Sequence, residues 1–330
     1  MLRRLKSFAS EDHPGLDFTR LADDIFETKG PTGQHYCIVS KPQGTSVRTL
    51  QELCPDAKFP KLLVKSLVYH LLFSLNWLHT TCGVVHTDIS PQNILMSLLG
   101  DTTSLKDLEE QESRDPSVPV ITKDSNGAVS SVVYETRPPK LGYSGHPILT
   151  DFGQMRQFDE CVHKDWWMSD LYRAPEVLMK LPWSFPIDIW SIGVLTLELM
   201  EGRNLFDPVD RVNNQYVIPL ALAQYIGYLG EPPRAMLAQS PRLYAYFDED
   251  VYTHTSETTT GEYIGGAPIP QTSLEEFVTV IPPGDEKDKF LQFIRKMLTW
   301  DPEERKPSIE LLTDEWLTTP GTEADLDELR

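Results

Sequence analysis

Five short polar motifs stand in a fixed order along the chain of 330 residues, and this order constrains the fold more than any other feature. In chain order they are His86-Thr87-Asp88 with Asn93, Asp151-Phe152-Gly153, Ala174-Pro175-Glu176, Asp188-Ile189-Trp190-Ser191-Ile192-Gly193 and Trp300-Asp301-Pro302-Glu303-Glu304-Arg305. Each motif alone can arise by chance, and a lone Asp-Phe-Gly is more often a turn than a metal site. The full ordered set leaves little room for that alternative and therefore predicts one specific architecture.

Together the motifs resemble those of the eukaryotic protein kinases. The resemblance implies an α+β, protein-kinase-like fold with a mostly helical C-lobe. It makes Asp88 the base that accepts the proton of the attacking hydroxyl. It also makes Asn93 and Asp151 the ligands of Mg²⁺ on the phosphates of ATP.

The same resemblance implies residues that support this site structurally. His86 would shape the catalytic loop, and Asp188 would brace it from below. Glu176 and Arg305 are expected to form a largely buried ion pair. Removing one partner of such a pair typically costs about 3–5 kcal/mol, because the other charge is left uncompensated.

More narrowly, the chain resembles the serine/arginine-rich protein kinases, particularly their divergent fungal members, over residues 1 to about 318. The likeness rests on Thr87 in the catalytic loop, on the long insertion before Asp151, and on the segments 2–15 and 35–44.

This likeness also implies an adenine site. Lys41 and Gln43 would offer backbone groups of the hinge to the base. Ser40 would be the gatekeeper, and Leu95 would lie under the base.

Several positions depart from the kinase pattern. Ser90 stands where serine/threonine kinases usually carry a lysine that touches the γ-phosphate, and its absence would weaken stabilisation of the transition-state charge. The acids with which the family docks its substrates map to Leu220 and Gly227, so an arginine-rich substrate is not safely inferred. Thr87 replaces an arginine that binds an activation-segment phosphate in many kinases. We therefore hypothesise that activity does not depend on phosphorylation of this segment.

The resemblance divides the chain into three parts. Residues 1–44 form a remnant N-lobe with the end of a helix, two strands and the hinge. Residues 45–318 form the C-lobe, with a flexible insert at about 98–145 that is rich in Ser, Asp, Glu and Pro. Residues 319–330 form an acidic tail.

Local patterns predict the main elements. Strands are expected at Leu16–Thr28 and His35–Lys41 around a turn at Gly30–Gly33, helices at Phe59–His79, Asp188–Met200, Lys287–Leu298 and Ser308–Leu317, and an irregular stretch at Asp248–Pro283.

Composition limits the partners. A net charge of −19 argues against nucleic acid or an anionic membrane and fits a basic protein substrate. The four cysteines lack CxxC spacing, which favours a reducing cytoplasmic or nuclear location. No apolar run is long enough to span a membrane. We expect a monomer.

The first hypothesis is therefore a serine/threonine protein kinase that uses ATP and Mg²⁺. The alternative is a pseudokinase or scaffold that binds proteins through its C-lobe, because no glycine-rich loop and no phosphate-clamping lysine occur in the sequence. We expect the chain to be N-terminally truncated for the same reason. A small-molecule phosphotransferase of kinase-like fold is a third hypothesis, disfavoured by Ala174-Pro175-Glu176.

Overall fold

The computed structural model describes residues 2–9, 12–30, 33–98, 102–134, 145–158, 164–248 and 262–328. The turn predicted at Pro31-Thr32, residues 135–144 of the insert and residues 249–261 of the predicted irregular stretch lie outside these ranges.

Helices make up most of the regular structure. The α-helices are α1 (Leu2–Ser7), α2 (Val47–Leu53), α3 (Lys61–Asn76), α4 (Thr102–Arg114), α5 (Pro175–Leu178), α6 (Pro186–Glu201), α7 (Ile218–Leu229), α8 (Arg234–Gln239), α9 (Leu243–Tyr246), α10 (Leu274–Phe277), α11 (Asp285–Arg295), α12 (Ser308–Leu311), α13 (Glu315–Thr318) and α14 (Glu323–Asp327). Among the helices of the described ranges, none combines the length and the apolar character needed to cross a membrane.

The strands form small antiparallel sheets. They are β1 (Asp24–Gly30), β2 (Gly33–Val39), β3 (Gln43–Ser46), β4 (Val84–Val85), β5 (Ile94–Ser97), β6 (Pro119–Lys123), β7 (Val129–Tyr134), β8 (Pro147–Leu149), β9 (Arg156–Gln157), β10 (Val209–Asp210) and β11 (Gln215–Tyr216). The sheets pair β1 with β2, β4 with β9, β6 with β7 and β10 with β11, and order one three-stranded sheet as β3-β5-β8.

Helix α6 is the centre of the core. Its residues from Ile187 to Glu201 are buried on every side, as expected of an apolar helix surrounded by protein. Gly202 ends it with a left-handed φ of 68°, and its N–H bonds to the carbonyl of Glu198. A Cβ at this glycine would lie 2.0 Å from the carbonyl oxygen of Asp56, so no larger residue fits.

Helix α3 packs against α6 and leads into the catalytic loop. It is followed by a π-helical turn, Trp77–Thr81, and then by the buried strand β4. Such turns shift the direction of the side chains that follow them. This one carries His79, whose Nε2 lies 2.9 Å from a carboxylate oxygen of Asp188.

Two predictions of local structure are wrong in detail. The first strand begins only at Asp24, because Pro14–Phe18 forms a 3₁₀ turn. A Cβ at Gly15 in this turn would lie 2.2 Å from the carbonyl oxygen of Phe73. The helix predicted at Ser308–Leu317 is split into α12 and α13, since Asp314 caps the second by accepting the Trp316 N–H.

The insert contains regular structure in its described part. Helix α4 and the hairpin β6–β7 belong to it, and its flexibility stays a prediction. Asp124 shapes the hairpin turn by accepting the N–H groups of Asn126 and Ala128. The sequence signal was present, because β-branched residues flank a Ser125-Asn126-Gly127 turn.

The acidic tail is not free of the C-lobe in its described part. Asp325 forms an ion pair of 2.9 Å with Lys61 at the start of α3. Its carboxylate also accepts the N–H and the hydroxyl of Thr322.

Candidate active site

Strands β5 and β8 bring two of the predicted site residues together. Ile94 pairs with Leu149 in this ladder, so Asn93 and Asp151 lie beside the paired positions at one end of the sheet. Thr150 fastens this end, because its N–H and its hydroxyl both donate to the carbonyl of Asn93, at 2.9 and 3.0 Å. Two distant motifs thus meet through ordinary strand pairing.

Asp88 is held from both sides. The side-chain amide of Asn93 donates to the Asp88 carbonyl at 2.9 Å and to Oδ2 at 3.0 Å. The hydroxyl of Ser169, from the segment before Ala174-Pro175-Glu176, donates to Oδ1. The carboxylate therefore has a defined orientation before any substrate arrives, as a general base requires.

The backbone beside Asp88 is strained. Thr87 has a φ of 73°, which is unusual for a β-branched residue and costs about 1–3 kcal/mol. Asp188 holds this conformation, since its two carboxylate oxygens accept the N–H groups of His86 and Thr87 at 2.8 Å each. These two hydrogen bonds are the contacts by which Asp188 can brace the catalytic loop.

His86 lies wholly inside the protein. Its Nε2 donates to the carbonyl of Thr150 at 2.9 Å, and its Nδ1 accepts the N–H of Asp88 at 3.3 Å. Burial lowers the pKa of His86, so the imidazole stays neutral with one donor and one acceptor nitrogen. The ring of Phe152 meets it edge-on at 5.2 Å. His86 thus ties the Asp-Phe-Gly segment to the catalytic loop.

The predicted pair of Glu176 and Arg305 is confirmed. Two hydrogen bonds of 2.6 and 2.7 Å join the carboxylate and the guanidinium, and neither side chain is exposed. The guanidinium also donates to the carbonyls of Thr299, Pro186 and Trp300, and lies 5.0 Å from the Trp190 ring centroid. Every buried charge in this pair is compensated.

Asn93 and Asp151 fit a magnesium ion. The amide nitrogen of Asn93 is committed to Asp88, which turns its side-chain oxygen toward a different partner. Asp151 is exposed, and its Oδ1 accepts the N–H of Gly153 at 3.2 Å. Amide and carboxylate oxygens are ligands that Mg²⁺ accepts. The pair consists of one amide and one carboxylate, and no group of three His, Cys, Asp or Glu side chains that could hold a metal occurs among the described residues.

The predicted adenine-site residues are placed in two groups. Ser40 lines a cavity of about 270 Å³ together with Asp151, Phe152 and Gly153. Lys41 and Gln43 lie where β2 passes into β3, and they line a different cavity. Leu95 lies on β5 opposite Ser46 and lines neither cavity.

Two tryptophans are site residues that sequence reasoning missed. Trp167 donates its indole N–H to the hydroxyl of Thr87 at 2.9 Å and to the carbonyl of Gln154 at 3.2 Å. The Thr87 hydroxyl in turn donates to the Gln154 carbonyl at 3.0 Å. Arg156 lies 3.7 Å above the Trp167 ring. Hydrogen bonds and a cation–π contact thus join both ends of the activation segment to the catalytic loop.

Trp166 is held in a similar way. The guanidinium groups of Arg173 and Arg242 lie 4.1 and 5.1 Å from its ring centroid. Both tryptophans line a cavity of about 340 Å³ that also contains Asp88 and Ser169. The sequence contained a signal for this cavity wall. Two adjacent tryptophans lie in a polar segment that has an arginine near each end.

The comparisons with known proteins agree with this geometry. The protein kinase domain model matches residues 140–317. A serine/threonine protein kinase of Aspergillus fumigatus is 35% identical over 321 residues, which cover 96% of this chain and 73% of that protein.

More distant relatives have the same kind of activity in their names. The serine/threonine-protein kinase SRPK of Physarum polycephalum is 27% identical over 87% of this chain and 67% of its own length. The human dual specificity protein kinase CLK1 is 28% identical over 82% of this chain and 48% of its own length.

Proposed function

The chain belongs to the protein kinase family, and from this premise we propose that Asp88, Asn93 and Asp151 form the centre of its active site. It is a serine/threonine protein kinase, a transferase that uses ATP and a divalent metal to phosphorylate proteins. The observation that supports the residue roles most strongly is the paired fixing of Asp88 by Asn93 and Ser169.

The mechanism follows from these contacts. Asp88 accepts the proton of a serine or threonine hydroxyl, whose oxygen then bonds to the γ-phosphorus of ATP while ADP leaves. Asn93 and Asp151 would hold Mg²⁺, which neutralises charge on the β- and γ-phosphates. Ser90 is buried and contributes its carbonyl to the Asn93 N–H at 3.0 Å. It cannot supply the positive charge that a lysine supplies here in other kinases.

Nothing in the described residues favours the alternative of a pseudokinase. All three polar side chains of the site are present and oriented, although none of them is needed to fill the core. Lys41, Gln43 and Leu95 remain our proposal for the adenine contacts.

The substrate is proposed to be a basic protein, and the enzyme a monomer of the cytoplasm or nucleus. The net charge of −19 supports attraction of basic partners. Docking of arginines on α7 is not supported, because a Cβ at Gly227 would lie 2.6 Å from the carbonyl oxygen of Pro270. An acidic side chain therefore has no room at that position.

The test of the site is an Asp88→Asn variant of the purified chain, assayed with Mg-ATP and myelin basic protein. We expect phosphorylation to fall to background, because the amide cannot accept the proton. Asp288→Asn is the matched control, since Asp288 is exposed on α11 and should leave activity unchanged. Activity of the Asp88 variant near the wild-type level would refute Asp88 as the base.

A further inference from the structure

A second cavity, of about 690 Å³, lies between the hinge, helix α3 and the segment Leu16–Asp23. Its volume is within the range of pockets that hold small organic molecules. Asp88, Asn93 and Asp151 do not line it. Lys41 and Gln43 do line it, but the adenine contacts proposed for them use backbone groups, so the side chains on this wall have no role in the proposed phosphoryl transfer.

Two buried polar atoms on its wall have no partner among the described residues. Nε of Arg20 and Oε1 of Gln43 are buried, and within the described residues neither has a hydrogen-bond partner. Arg20 also forms no ion pair with any residue of those ranges. Buried polar groups are nearly always hydrogen-bonded, so each exception needs an explanation. A bound ligand is one that accounts for both atoms.

The charges around the cavity favour an anion at Arg20. The side chains of Asp17, Asp23 and Lys41 are exposed at its rim, where water screens them. Arg20 is half-buried, unlike these three exposed side chains, and a guanidinium binds phosphate or carboxylate oxygens in pairs.

The opposite part of the wall is aromatic. The ring of Phe18 lies 4.4 Å from that of His70 and 5.3 Å from that of His146. The two histidine rings are 6.4 Å apart. Burial lowers the pKa of His70, and the nearby His146 lowers it further. These rings offer flat surfaces against which another ring can stack.

We propose that this cavity binds a small organic anion in which a flat ring carries a phosphate or a carboxylate group. Arg20 pairs with the anionic group, and the side-chain oxygen of Gln43 accepts a hydrogen bond from a donor on the ligand. The ring lies against Phe18, His70 and His146. Asp151 does not line this cavity, although Arg20 also borders the smaller cavity that contains Asp151.

The test is calorimetric titration of the full chain with phenyl phosphate and with benzoate. We expect phenyl phosphate or benzoate to bind at least about tenfold more tightly than phenol or inorganic phosphate. Each of the first two has both the ring and the negative charge, whereas phenol lacks the charge and inorganic phosphate lacks the ring. The probe that binds more tightly shows whether the site prefers a phosphate or a carboxylate. Binding should persist when a non-hydrolysable Mg-ATP analogue is saturating.

Two variants locate the site. Arg20→Met should weaken binding about tenfold or more and should not lower the melting temperature, since Nε of Arg20 loses no partner. Arg114→Met on α4 is the control, because Arg114 is exposed and paired only with Glu110. His146→Ala should weaken binding of the ring-bearing probe but not of inorganic phosphate.

Several results would overturn the proposal. One is the absence of binding by either probe up to about 10 mM, a concentration that reveals millimolar dissociation constants. Another is binding that is unchanged in both Arg20→Met and His146→Ala. Displacement by the ATP analogue would assign the heat to the nucleotide site instead.

Discussion

Thr87 shows how one residue can replace an arginine and still join the same parts of the protein. Its hydroxyl accepts a hydrogen bond from the Trp167 indole N–H and donates one to the Gln154 carbonyl. A network of neutral groups thus takes the place of an arginine–phosphate contact. The strained backbone of Thr87 is held by Asp188, independently of the side chain. The Thr87 hydroxyl therefore contacts the activation segment and is not needed to hold the backbone.

The first prediction concerns that hydroxyl. Thr87→Val should lower kcat about tenfold, because one hydrogen-bonded hydroxyl typically contributes about 0.5–1.5 kcal/mol and the Trp167 N–H loses an acceptor. The measurement is steady-state kinetics with a fixed protein substrate. Thr87→Ser is the matched control and should stay near the wild-type rate, since it retains the hydroxyl. A wild-type rate in Thr87→Val, or a loss in Thr87→Ser alone, would show that the hydroxyl is not the group that matters.

At the scale of elements, hydrogen bonds tie the described part of the activation segment to the rest of the C-lobe. Its hydroxyl groups are both engaged, Ser169 on Asp88 and Tyr172 on Glu198. Tyr172 is 4% exposed, and burial raises the pKa of its phenol well above the usual value. Arg48 completes this cluster with a 2.6 Å ion pair to Glu198. The Tyr172 hydroxyl is therefore closed to a modifying kinase, and the half-buried Ser169 hydroxyl is already bonded to Asp88.

We therefore predict that phosphatase treatment leaves activity unchanged. The physical reason is that the contacts of Trp167, Ser169 and Tyr172 already hold the segment. The assay compares kcat before and after treatment, with mass spectrometry to verify that no phosphate remains. A kinase with a known activation-segment phosphate serves as the positive control. Loss of activity on dephosphorylation would contradict the hypothesis.

The buried ion pair of Glu176 and Arg305 joins α5 to the loop before α12. Arg305→Met should reduce the free energy of unfolding by about 3–5 kcal/mol, because Glu176 is left buried and unpaired. Denaturant unfolding measures this change. The double variant Glu176→Leu with Arg305→Met should recover part of the loss.

Arg114→Met provides the comparison for this pair. Arg114 also pairs with a glutamate, Glu110, but both are exposed on α4. Its loss should change stability by about 0.5 kcal/mol or less. If the two variants lost similar amounts of stability, burial would not be the reason for the cost at Arg305.

For the whole molecule, charge is the property that governs encounter with substrates. With a net charge of −19, the chain should attract basic peptides over distances comparable to the Debye length, about 8–10 Å at moderate salt. We predict that KM for a basic serine peptide rises with salt while kcat changes little. The control is a peptide in which acidic residues flank the same serine, and its KM should not rise with salt. Salt-independent KM values for both peptides would exclude this attraction.

The sequence by itself determined the family, the order of the site residues and the buried pair of Glu176 and Arg305. These could be predicted because each motif is local and its chemistry requires particular side chains. The long helices α3 and α6 were also predictable from their apolar patterns. The split of α12 from α13 was missed, since the Asp314 cap competes with a continuous helical pattern.

Only the tertiary structure decided which groups meet across the chain. The ladder of β5 with β8 sets Asn93 beside Asp151, and the fold of the activation segment sets Trp167 on Thr87. The cavity shared by Arg20, Phe18 and His70 likewise depends on the packing of separate elements. Within the described residues, the Nε atom of Arg20 has no partner there. Contacts between residues distant in sequence depend on the whole folded chain, because no local pattern specifies the partner of a side chain.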